Sequence, residues 1–312
     1  MIVVKKLALA FVVLSLACCA ACADGRVSAE TNTGRPSVLR YSYAPGVEEP
    51  QAQTIRLDRL KRYLSDRLKM PVELYKSSAG YGMVIEAMRA NKVDVATMGP
   101  FGYLIASEKA RAEVIVVSGT KHGGQGEYRG TIAVSRNSPI KTIEDLVAHS
   151  KELTFSFVDP ASTSGFLVQR AYFQSVGLDP DKDFKKTMFS TNHIASAMTL
   201  MTGKVDAAAM METIPGRLIK RHALQEGDIR VLWVSPPLPS SPIVVRKGFS
   251  ESFKRELQQA LVDIPEKDPE LWKTWPHSNN YPDPVLLPGD DSMFDALRTI
   301  ARNVKNLSLL EQ

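Results

Sequence analysis

The chain runs Asp-Pro-Ala-Ser-Thr-Ser-Gly-Phe from Asp159 to Phe166, between a predicted strand over Leu153–Val158 and a predicted amphipathic helix over Ser164–Ser175. The turn carries three consecutive hydroxyl side chains, those of Ser162, Thr163 and Ser164. The first turn of a helix leaves backbone N–H groups without intrahelical partners and carries a partial positive charge. The turn therefore predicts a site for a phosphate-like anion that needs no lysine or arginine. The alternative is ordinary N-capping, for which serine and threonine are favoured.

His193 lies at the next predicted strand-to-helix turn, between a strand over Phe184–Phe189 and a helix over Ile194–Thr202. Turns after neighbouring parallel strands meet at one edge of a sheet, so the imidazole is within reach of the same anion. The alternative for a single histidine is a helix cap or a satisfied surface residue. At this point both interpretations stay open.

Short apolar runs alternate with helical periodicity from Val38 onward. Further strands are predicted at Val38–Ala44, Val72–Tyr75, Val93–Met98, Val114–Gly119, Tyr128–Ser135, Val205–Met210, Ile229–Val234 and Ile243–Val245. Further helices are predicted at Gln51–Lys69, Gly82–Asn91, Pro100–Ala110, Thr142–His149, Pro215–His222, Glu251–Val262 and Asp291–Val304, the last two joined by a Pro-rich stretch. This alternation predicts an α/β fold with largely parallel sheets.

One short pattern occurs twice. Lys92-Val93-Asp94 and Lys204-Val205-Asp206 each lie where a predicted helix ends and a buried strand follows. The repeat predicts two similar α/β lobes with a ligand cleft between them, and chance recurrence is the alternative.

Length and composition narrow the class of protein. The chain has 312 residues, of which 44% are hydrophobic and 23% charged, a balance typical of globular proteins. This length predicts two domains, each able to bury a core. A formal net charge of +5 gives no argument for a nucleic-acid partner, which needs a concentrated basic patch.

The first residues have the pattern of a secretory signal. A basic start at Met1–Lys6 precedes an apolar run at Leu7–Ala17, and small residues follow. We predict a signal peptide over residues 1–22 and a flexible tether over residues 23–37. The apolar run is shorter than the roughly 20 residues that span a bilayer, and no later stretch qualifies. The sequence thus predicts an exported protein that is not integral to the membrane.

All three cysteines, Cys18, Cys19 and Cys22, lie in this segment, which excludes disulfides and thiolate metal sites within the fold. Cys22 follows Ala20-Ala21, the small pair that favours lipoprotein processing, and we predict that Cys22 is lipid-modified. The alternative is ordinary cleavage after Ala23, which leaves a soluble protein.

The sequence contains none of the common catalytic motifs that would indicate an enzyme. The sequence lacks Gly-x-Ser-x-Gly, Gly-x-x-x-x-Gly-Lys and His-Glu-x-x-His patterns, and its five histidines show no metal-ligand spacing. Neither a cofactor nor a metal is predicted, and a hydrolase is the least favoured alternative.

Several blocks of the sequence point to a known family. In the second half they are Leu153-Thr154-Phe155, Asp159-Pro160, Ser162-Thr163-Ser164-Gly165-Phe166-Leu167, Asp183-Phe184-Lys185, His193 and Val205-Asp206. In the first half they are Ala79-Gly80-Tyr81, Val93-Asp94, Gly99-Pro100, and Tyr128 after Gly123-Gly124-Gln125-Gly126. From about Leu39 to Val245 the chain resembles the phosphate/phosphite/phosphonate substrate-binding proteins of ABC transporters, of the phosphonate-binding type.

The resemblance implies a type II periplasmic-binding-protein fold, in which two α/β lobes joined by a strand hinge close on a phosphorus oxyanion. Lobe 1 would comprise residues 38–127 and 243–312, and lobe 2 residues 128–242. Hinge strands would lie near Tyr128–Thr131 and Ser235–Ile243. By resemblance, the residues that hold the ligand oxygens are Ser162, Thr163, Ser164 and His193 from lobe 2 and Tyr81 and Tyr128 from lobe 1.

The chain departs from one pattern in this family. Members that bind aminoalkylphosphonates carry two carboxylates for the ligand ammonium. One of these positions is an uncharged serine here, Ser240 or Ser241, and we predict Ser241. The other falls at Glu212 or Thr213, and Glu212 is kept among the predicted ligand-binding residues. Because a buried ammonium without a carboxylate is unfavourable, this favours a ligand without an amine, such as phosphite, phosphate or methylphosphonate.

The resemblance also implies partners and a location. The expected protein is a monomer that delivers a small oxyanion to the permease of an ABC importer. It would lie in the periplasm or at the outer face of the cytoplasmic membrane, held there by its lipid anchor. A ligand-sensing subunit of a two-component histidine kinase is the alternative, because lobe closure would be the same.

Overall fold

The computed structural model describes residues 34–43, 50–76, 80–276, 283–305 and 307. The predicted signal peptide, Cys22 and most of the predicted tether lie outside the described residues. Within these ranges, no helix combines the length and the apolar character that crossing a membrane requires.

The described residues contain fourteen strands. They are β1 (Leu39–Tyr43), β2 (Val72–Tyr75), β3 (Val95–Thr97), β4 (Glu113–Thr120), β5 (Gly124–Gln125), β6 (Glu127–Tyr128), β7 (Gly130–Ser135), β8 (Thr154–Phe157), β9 (Lys186–Phe189), β10 (Ala207–Met211), β11 (Ile229–Val234), β12 (Leu238–Pro239), β13 (Pro242–Val245) and β14 (Pro284–Pro288). Most lie within one or two residues of the predicted strands. The strand β14 was predicted only as a Pro-rich connection, and prolines are compatible with the sheet edge where β14 lies.

Twelve helices accompany these strands in the described part of the chain. They are α1 (Pro50–Leu68), α2 (Tyr81–Arg89), α3 (Pro100–Lys109), α4 (Ile143–Ala148), α5 (Val168–Ser175), α6 (Pro180–Asp183), α7 (His193–Met201), α8 (Ile214–Lys220), α9 (Glu251–Val262), α10 (Ile264–Lys267), α11 (Pro269–Lys273) and α12 (Asp295–Asn303). The short helices α6, α10 and α11 were not predicted, because a single turn is too short to display a periodic pattern.

Two large sheets divide these elements into two α/β lobes. Lobe 1 surrounds a seven-stranded sheet in the order β14-β4-β13-β3-β1-β2, with β5 beside β4. Lobe 2 surrounds a five-stranded sheet in the order β11-β7-β10-β8-β9. The fold class predicted from the sequence is thus confirmed.

Helices cover both faces of the lobe 1 sheet. Val95 and Ile243 belong to the core formed with α1 and α9, while the adjacent Ala96 and Val244 belong to the core formed with α2 and α3. Successive side chains of a strand point to opposite faces, so strands buried on both faces read as continuous apolar runs.

The expectation of largely parallel sheets is wrong, because four of the six strand pairings in the lobe 1 sheet and two of the four in the lobe 2 sheet are antiparallel. The pairs β1–β2, β1–β3, β8–β9 and β8–β10 are parallel. In contrast, β13 runs antiparallel to β3 and β4, and β7 runs antiparallel to β10 and β11. The antiparallel strands β7 and β13 directly follow the segments that pass from one lobe to the other, so they enter their sheets in the direction opposite to the parallel strands.

Two chain segments that pass between the lobes pair with each other. The strands β6 and β12 form a two-stranded antiparallel ladder with Leu238 opposite Tyr128. Beside it, the amide of Ser235 donates to the carbonyl of Gly130 (2.8 Å), and the amide of Ser240 donates to that of Gly126 (2.8 Å). The connection between the lobes is therefore a strand hinge, which contains the paired strands β6 and β12.

The repeated Val-Asp pattern has the same structural role in both lobes. The carboxylate of Asp94 accepts a hydrogen bond from the amide of Arg40 in β1 (2.8 Å). The carboxylate of Asp206 accepts one from the amide of Thr154 in β8 (2.7 Å). Each aspartate thus ties the end of a helix-to-strand connection to the first residues of a neighbouring parallel strand.

Candidate functional site

The hydroxyl turn after β8 begins with a π-helical turn, over Thr163–Leu167, that continues into α5. The amide of Leu167 donates to the carbonyl of Ser162 (3.0 Å), and the hydroxyl of Ser162 caps the amide of Gly165 (3.1 Å). A Cβ atom on Gly165 would lie 2.3 Å from Cγ2 of Val158, so only glycine fits there. Such π-turns often occur at functional sites, where they turn backbone groups away from the regular ladder.

Thr163 contacts lobe 1 directly. Its hydroxyl oxygen accepts a hydrogen bond from the backbone amide of Phe101 (2.8 Å), in the first turn of α3. The N-cap residue of α3 is Gly99, which has no side chain to cap the helix. Of the three predicted hydroxyl groups, Ser162 thus caps its own helix and Thr163 caps a helix of the other lobe.

Asp159 makes a second contact between the lobes, and sequence reasoning did not identify it as a site residue. Its carboxylate accepts hydrogen bonds from the amide of Ala161 (2.8 Å) and from the amide of Tyr81, the first residue of α2 (3.2 Å). The carboxylate is buried, and this burial raises its pKa above the ordinary value. The only sequence signal was the adjacent Pro160, which marks a turn.

The two predicted tyrosines lie against the hydroxyl turn. Burial, reinforced by the Asp159 carboxylate, raises the pKa of Tyr81 far above its usual range, while the nearby Ser162 hydroxyl acts in the opposite direction. Burial raises the pKa of Tyr128 to about 12, although the hydroxyl groups of Thr163 and Ser164 lower it through hydrogen bonds. Both phenols are therefore protonated and uncharged at neutral pH.

His193 is buried at the start of α7, next to the end of β10. Its Nδ1 accepts a hydrogen bond from the amide of Met211 (3.0 Å). Burial, and then the nearby positive charge of Arg217, lower the pKa of His193 to about 4. The imidazole is therefore neutral and carries its proton on Nε2. Capping is excluded as its role, because the adjacent Asn192 caps α7 by accepting from the amide of Ala195 (2.8 Å).

The residues at the two predicted ammonium positions differ in environment. The carboxylate of Glu212 accepts a hydrogen bond from the amide of Arg129, next to the hinge (3.0 Å). Within the described residues, the buried hydroxyl of the adjacent Thr213 has no hydrogen-bond partner. Ser241 is exposed, and the hydroxyl of Ser240 donates to the carbonyl of Ser118 (2.6 Å).

The chemistry of this cluster is that of uncharged hydrogen-bond donors. Hydroxyl groups from lobe 2 meet phenol groups from lobe 1 and the hinge beside the N-termini of two lobe 1 helices. Neutral O–H and N–H donors bind anionic oxygens through charge-assisted hydrogen bonds. In the part of the chain that the structure describes, no three His, Cys, Asp or Glu side chains are grouped so as to hold a metal ion.

Comparison with known proteins identifies the family. Residues 43–281 match the family described as "ABC transporter, phosphonate, periplasmic substrate-binding protein". The chain belongs to this family. The phosphonate-binding family resemblance inferred from the sequence is thus confirmed.

Among curated relatives of this family member, the phosphonates-binding periplasmic protein of Escherichia coli is 34% identical over 183 residues. The match covers 59% of this chain and 54% of the relative, so the chain spans about half the length of that protein.

Solved structures of the same fold extend the comparison. A binding protein component of an ABC phosphonate transporter from Pseudomonas aeruginosa has a TM-score of 0.77 at 24% identity, covering 88% of both chains. PhnD1 from Prochlorococcus marinus, in complex with methylphosphonate, has a TM-score of 0.71 at 20% identity, covering 86% of this chain and 98% of the other. The fold of this family member is that of type II periplasmic binding proteins.

Proposed function

We propose that this protein is the extracytoplasmic solute-binding component of an ABC importer and that it binds a small phosphorus oxyanion between its lobes. The observation that carries the proposal is the meeting of hydroxyl and phenol donors at one point. The hydroxyl of Ser162 lies near enough to the phenol of Tyr81 to lower its pKa, and those of Thr163 and Ser164 do the same for the phenol of Tyr128.

Binding would exchange these internal hydrogen bonds for bonds to the ligand oxygens. A tetrahedral oxyanion offers several acceptors, and each neutral hydroxyl that now pairs with another hydroxyl can donate to one of them. The neutral imidazole of His193 adds an Nε2–H donor, and the charge of Arg217, which acts on that ring, favours an anion. Because burial keeps the two phenols and the imidazole uncharged, no proton has to be displaced before binding at neutral pH.

We further propose that the ligand lacks an amine, as in phosphite, phosphate or methylphosphonate. The carboxylate of Glu212 is engaged by the Arg129 amide at the hinge, and the neighbouring Thr213 presents an uncharged hydroxyl. Ser241 has no charge either. At Thr213 and Ser241 an ammonium group would lose its hydration without gaining a carboxylate partner.

The partner in this proposal is a membrane permease that recognises the closed form, with the binding protein acting as a monomer in the periplasm. Lipidation at Cys22 would keep the protein at the outer face of the cytoplasmic membrane. The family match supports an importer over a kinase-linked sensor or a hydrolase.

Isothermal titration calorimetry tests the ligand class. We expect the purified protein to bind at least one of phosphite, phosphate and methylphosphonate more tightly than 2-aminoethylphosphonate. Tightest binding to the aminated compound would contradict the assignment of an amine-free ligand. No heat with any of the four compounds would contradict the oxyanion proposal as a whole.

A further inference from the structure

Two helices of lobe 1 begin without a cap of their own. The N-cap residues of α2 and α3 are Gly80 and Gly99, and neither helix has a side-chain cap from its own N-cap residue. Some other helices of the chain supply a side-chain cap from their own N-cap residue, as Thr142 does for α4 and Ser250 for α9. The missing caps of α2 and α3 come from lobe 2, through Asp159 and Thr163.

We propose that Asp159 is a positioning residue that stabilises the closed arrangement of the two lobes by capping α2 across the cleft. The role goes beyond ligand binding and does not depend on which ligand the cleft takes. The carboxylate belongs to the loop after β8 in lobe 2, and the amide that it binds belongs to Tyr81 in lobe 1. Because its two partners belong to different lobes, opening the cleft would break this bond.

The negative charge of the Asp159 carboxylate favours its role as the cap of α2. The N-terminus of a helix carries a partial positive charge, so an anionic cap is favoured there over a neutral one. The carboxylate is largely removed from water, and hydrogen bonds from the amides of Ala161 and Tyr81 replace that lost hydration. If the lobes separate, the Tyr81 amide loses its acceptor and only water can replace it.

The backbone of lobe 1 is shaped to admit this carboxylate. Gly80 has a φ of +85°, a conformation that residues with a side chain rarely adopt. A Cβ atom on Gly80 would lie 2.6 Å from Oδ2 of Asp159, closer than any real contact. A Cβ atom on the next glycine, Gly82, would have no other atom within 4 Å, so a methyl group there is accommodated.

The contact also links closure to ligand affinity. A ligand that binds only the closed form has an apparent association constant equal to its intrinsic constant multiplied by the fraction of molecules that are closed. Loss of one helix cap corresponds to about fivefold in an equilibrium constant. We therefore expect removal of the Asp159 carboxylate, as in Asp159→Ala, to lower the closed-to-open ratio by about that factor and to weaken ligand binding by up to the same factor.

The test measures lobe separation without added ligand. Cysteines are introduced at two exposed positions, as Lys61→Cys in lobe 1 and Lys204→Cys in lobe 2, and the spin-label distance between them is measured by pulsed electron resonance. The three native cysteines of the chain are replaced by serine in every sample so that only the two labels report. Asp159→Ala, which removes the acceptor of the Tyr81 amide, is compared with Asp145→Ala, which removes a carboxylate that caps the amides of Lys141 and Thr142 within lobe 2.

The proposal predicts a shift toward longer distances for Asp159→Ala and the wild-type distribution for Asp145→Ala. Gly80→Ala blocks the same contact from the other lobe and should produce the same shift, while Gly82→Ala should not. Identical distance distributions for Asp159→Ala and the wild type overturn the proposal, as does an equal shift in both aspartate variants. Since no ligand is added, these outcomes are independent of the calorimetric test of the oxyanion.

Discussion

The amide of Met211, at the end of β10, donates a hydrogen bond to Nδ1 of His193, at the start of α7 (3.0 Å). Because Nδ1 accepts, the neutral ring carries its proton on Nε2. The bond therefore determines which ring nitrogen is available as a donor, and burial keeps the ring uncharged.

The first prediction concerns stability as a function of pH. Burial lowers the pKa of His193 from 6.5 to about 4, so between these values the unfolded chain binds a proton that the folded protein does not. Stability that is complete above pH 6.5 is thus lost as the pH falls toward 4, by up to about 3 kcal/mol from this group. Urea unfolding of the wild type and of His193→Asn at several pH values measures the difference.

The matched control for that prediction is His149→Asn, at an exposed histidine. We expect this variant to retain the wild-type pH dependence. If His193→Asn also retains it, the histidine is not buried in the neutral form.

A second prediction concerns Thr163. Thr163→Val keeps the shape of the side chain but removes the acceptor for the Phe101 amide and the hydroxyl that we propose donates to the ligand. We expect ligand binding to weaken by about 1–3 kcal/mol, which corresponds to a buried polar partner left without a hydrogen bond. Calorimetry with the tightest-binding oxyanion measures the loss. Thr163→Ser retains the hydroxyl and should keep most of the affinity, and unchanged affinity in Thr163→Val would locate the ligand elsewhere.

The third prediction concerns the glycine of the π-turn. Gly165→Ala places a methyl group 2.3 Å from Cγ2 of Val158 and should lower the free energy of unfolding by about 1–3 kcal/mol. Gly216→Ala adds a methyl group within α8, where no neighbouring atom lies within 4 Å, and should raise the free energy of unfolding by about 0.5–1 kcal/mol because alanine is the better helix former. Chemical denaturation measures the free energy of unfolding of both variants. Equal values would show that the π-turn shifts to accommodate the added methyl group without loss of stability.

The fourth prediction concerns ligand preference. Glu212→Gln retains an oxygen acceptor for the Arg129 amide while removing the negative charge. We expect the ratio of affinities for methylphosphonate and 2-aminoethylphosphonate to stay within about twofold of the wild-type ratio, since the carboxylate is directed to the hinge. A selective loss of affinity for the aminated ligand would instead show that Glu212 pairs with an ammonium group.

The fifth prediction concerns the lipid anchor. Mass spectrometry of the membrane fraction should find diacylglycerol on Cys22, and Cys22→Ser should release the protein from that fraction. A free amino terminus at Asp24 would show ordinary signal cleavage.

The sequence by itself determined the elements and several of the candidate site residues. Regular spacing of apolar residues decides whether a segment becomes a helix or a strand, so most elements were predicted to within a few residues. The repeated Val-Asp pattern indicated two similar lobes, and Asp94 and Asp206 make equivalent contacts in them. The cluster of hydroxyl groups at 162–164 was visible because capping and anion binding at a helix start both depend on local residues.

Only the tertiary structure decided how the lobes meet. Asp159 and Tyr81 are 78 residues apart, and Thr163 and Phe101 are 62 apart, so no local pattern connects them. The direction of β7 and β13 likewise depends on where the chain crosses the hinge. When the N-cap residue is glycine, the sequence shows that this residue provides no side-chain cap. Which distant side chain provides one is known only from the structure in which the two lobes are in contact.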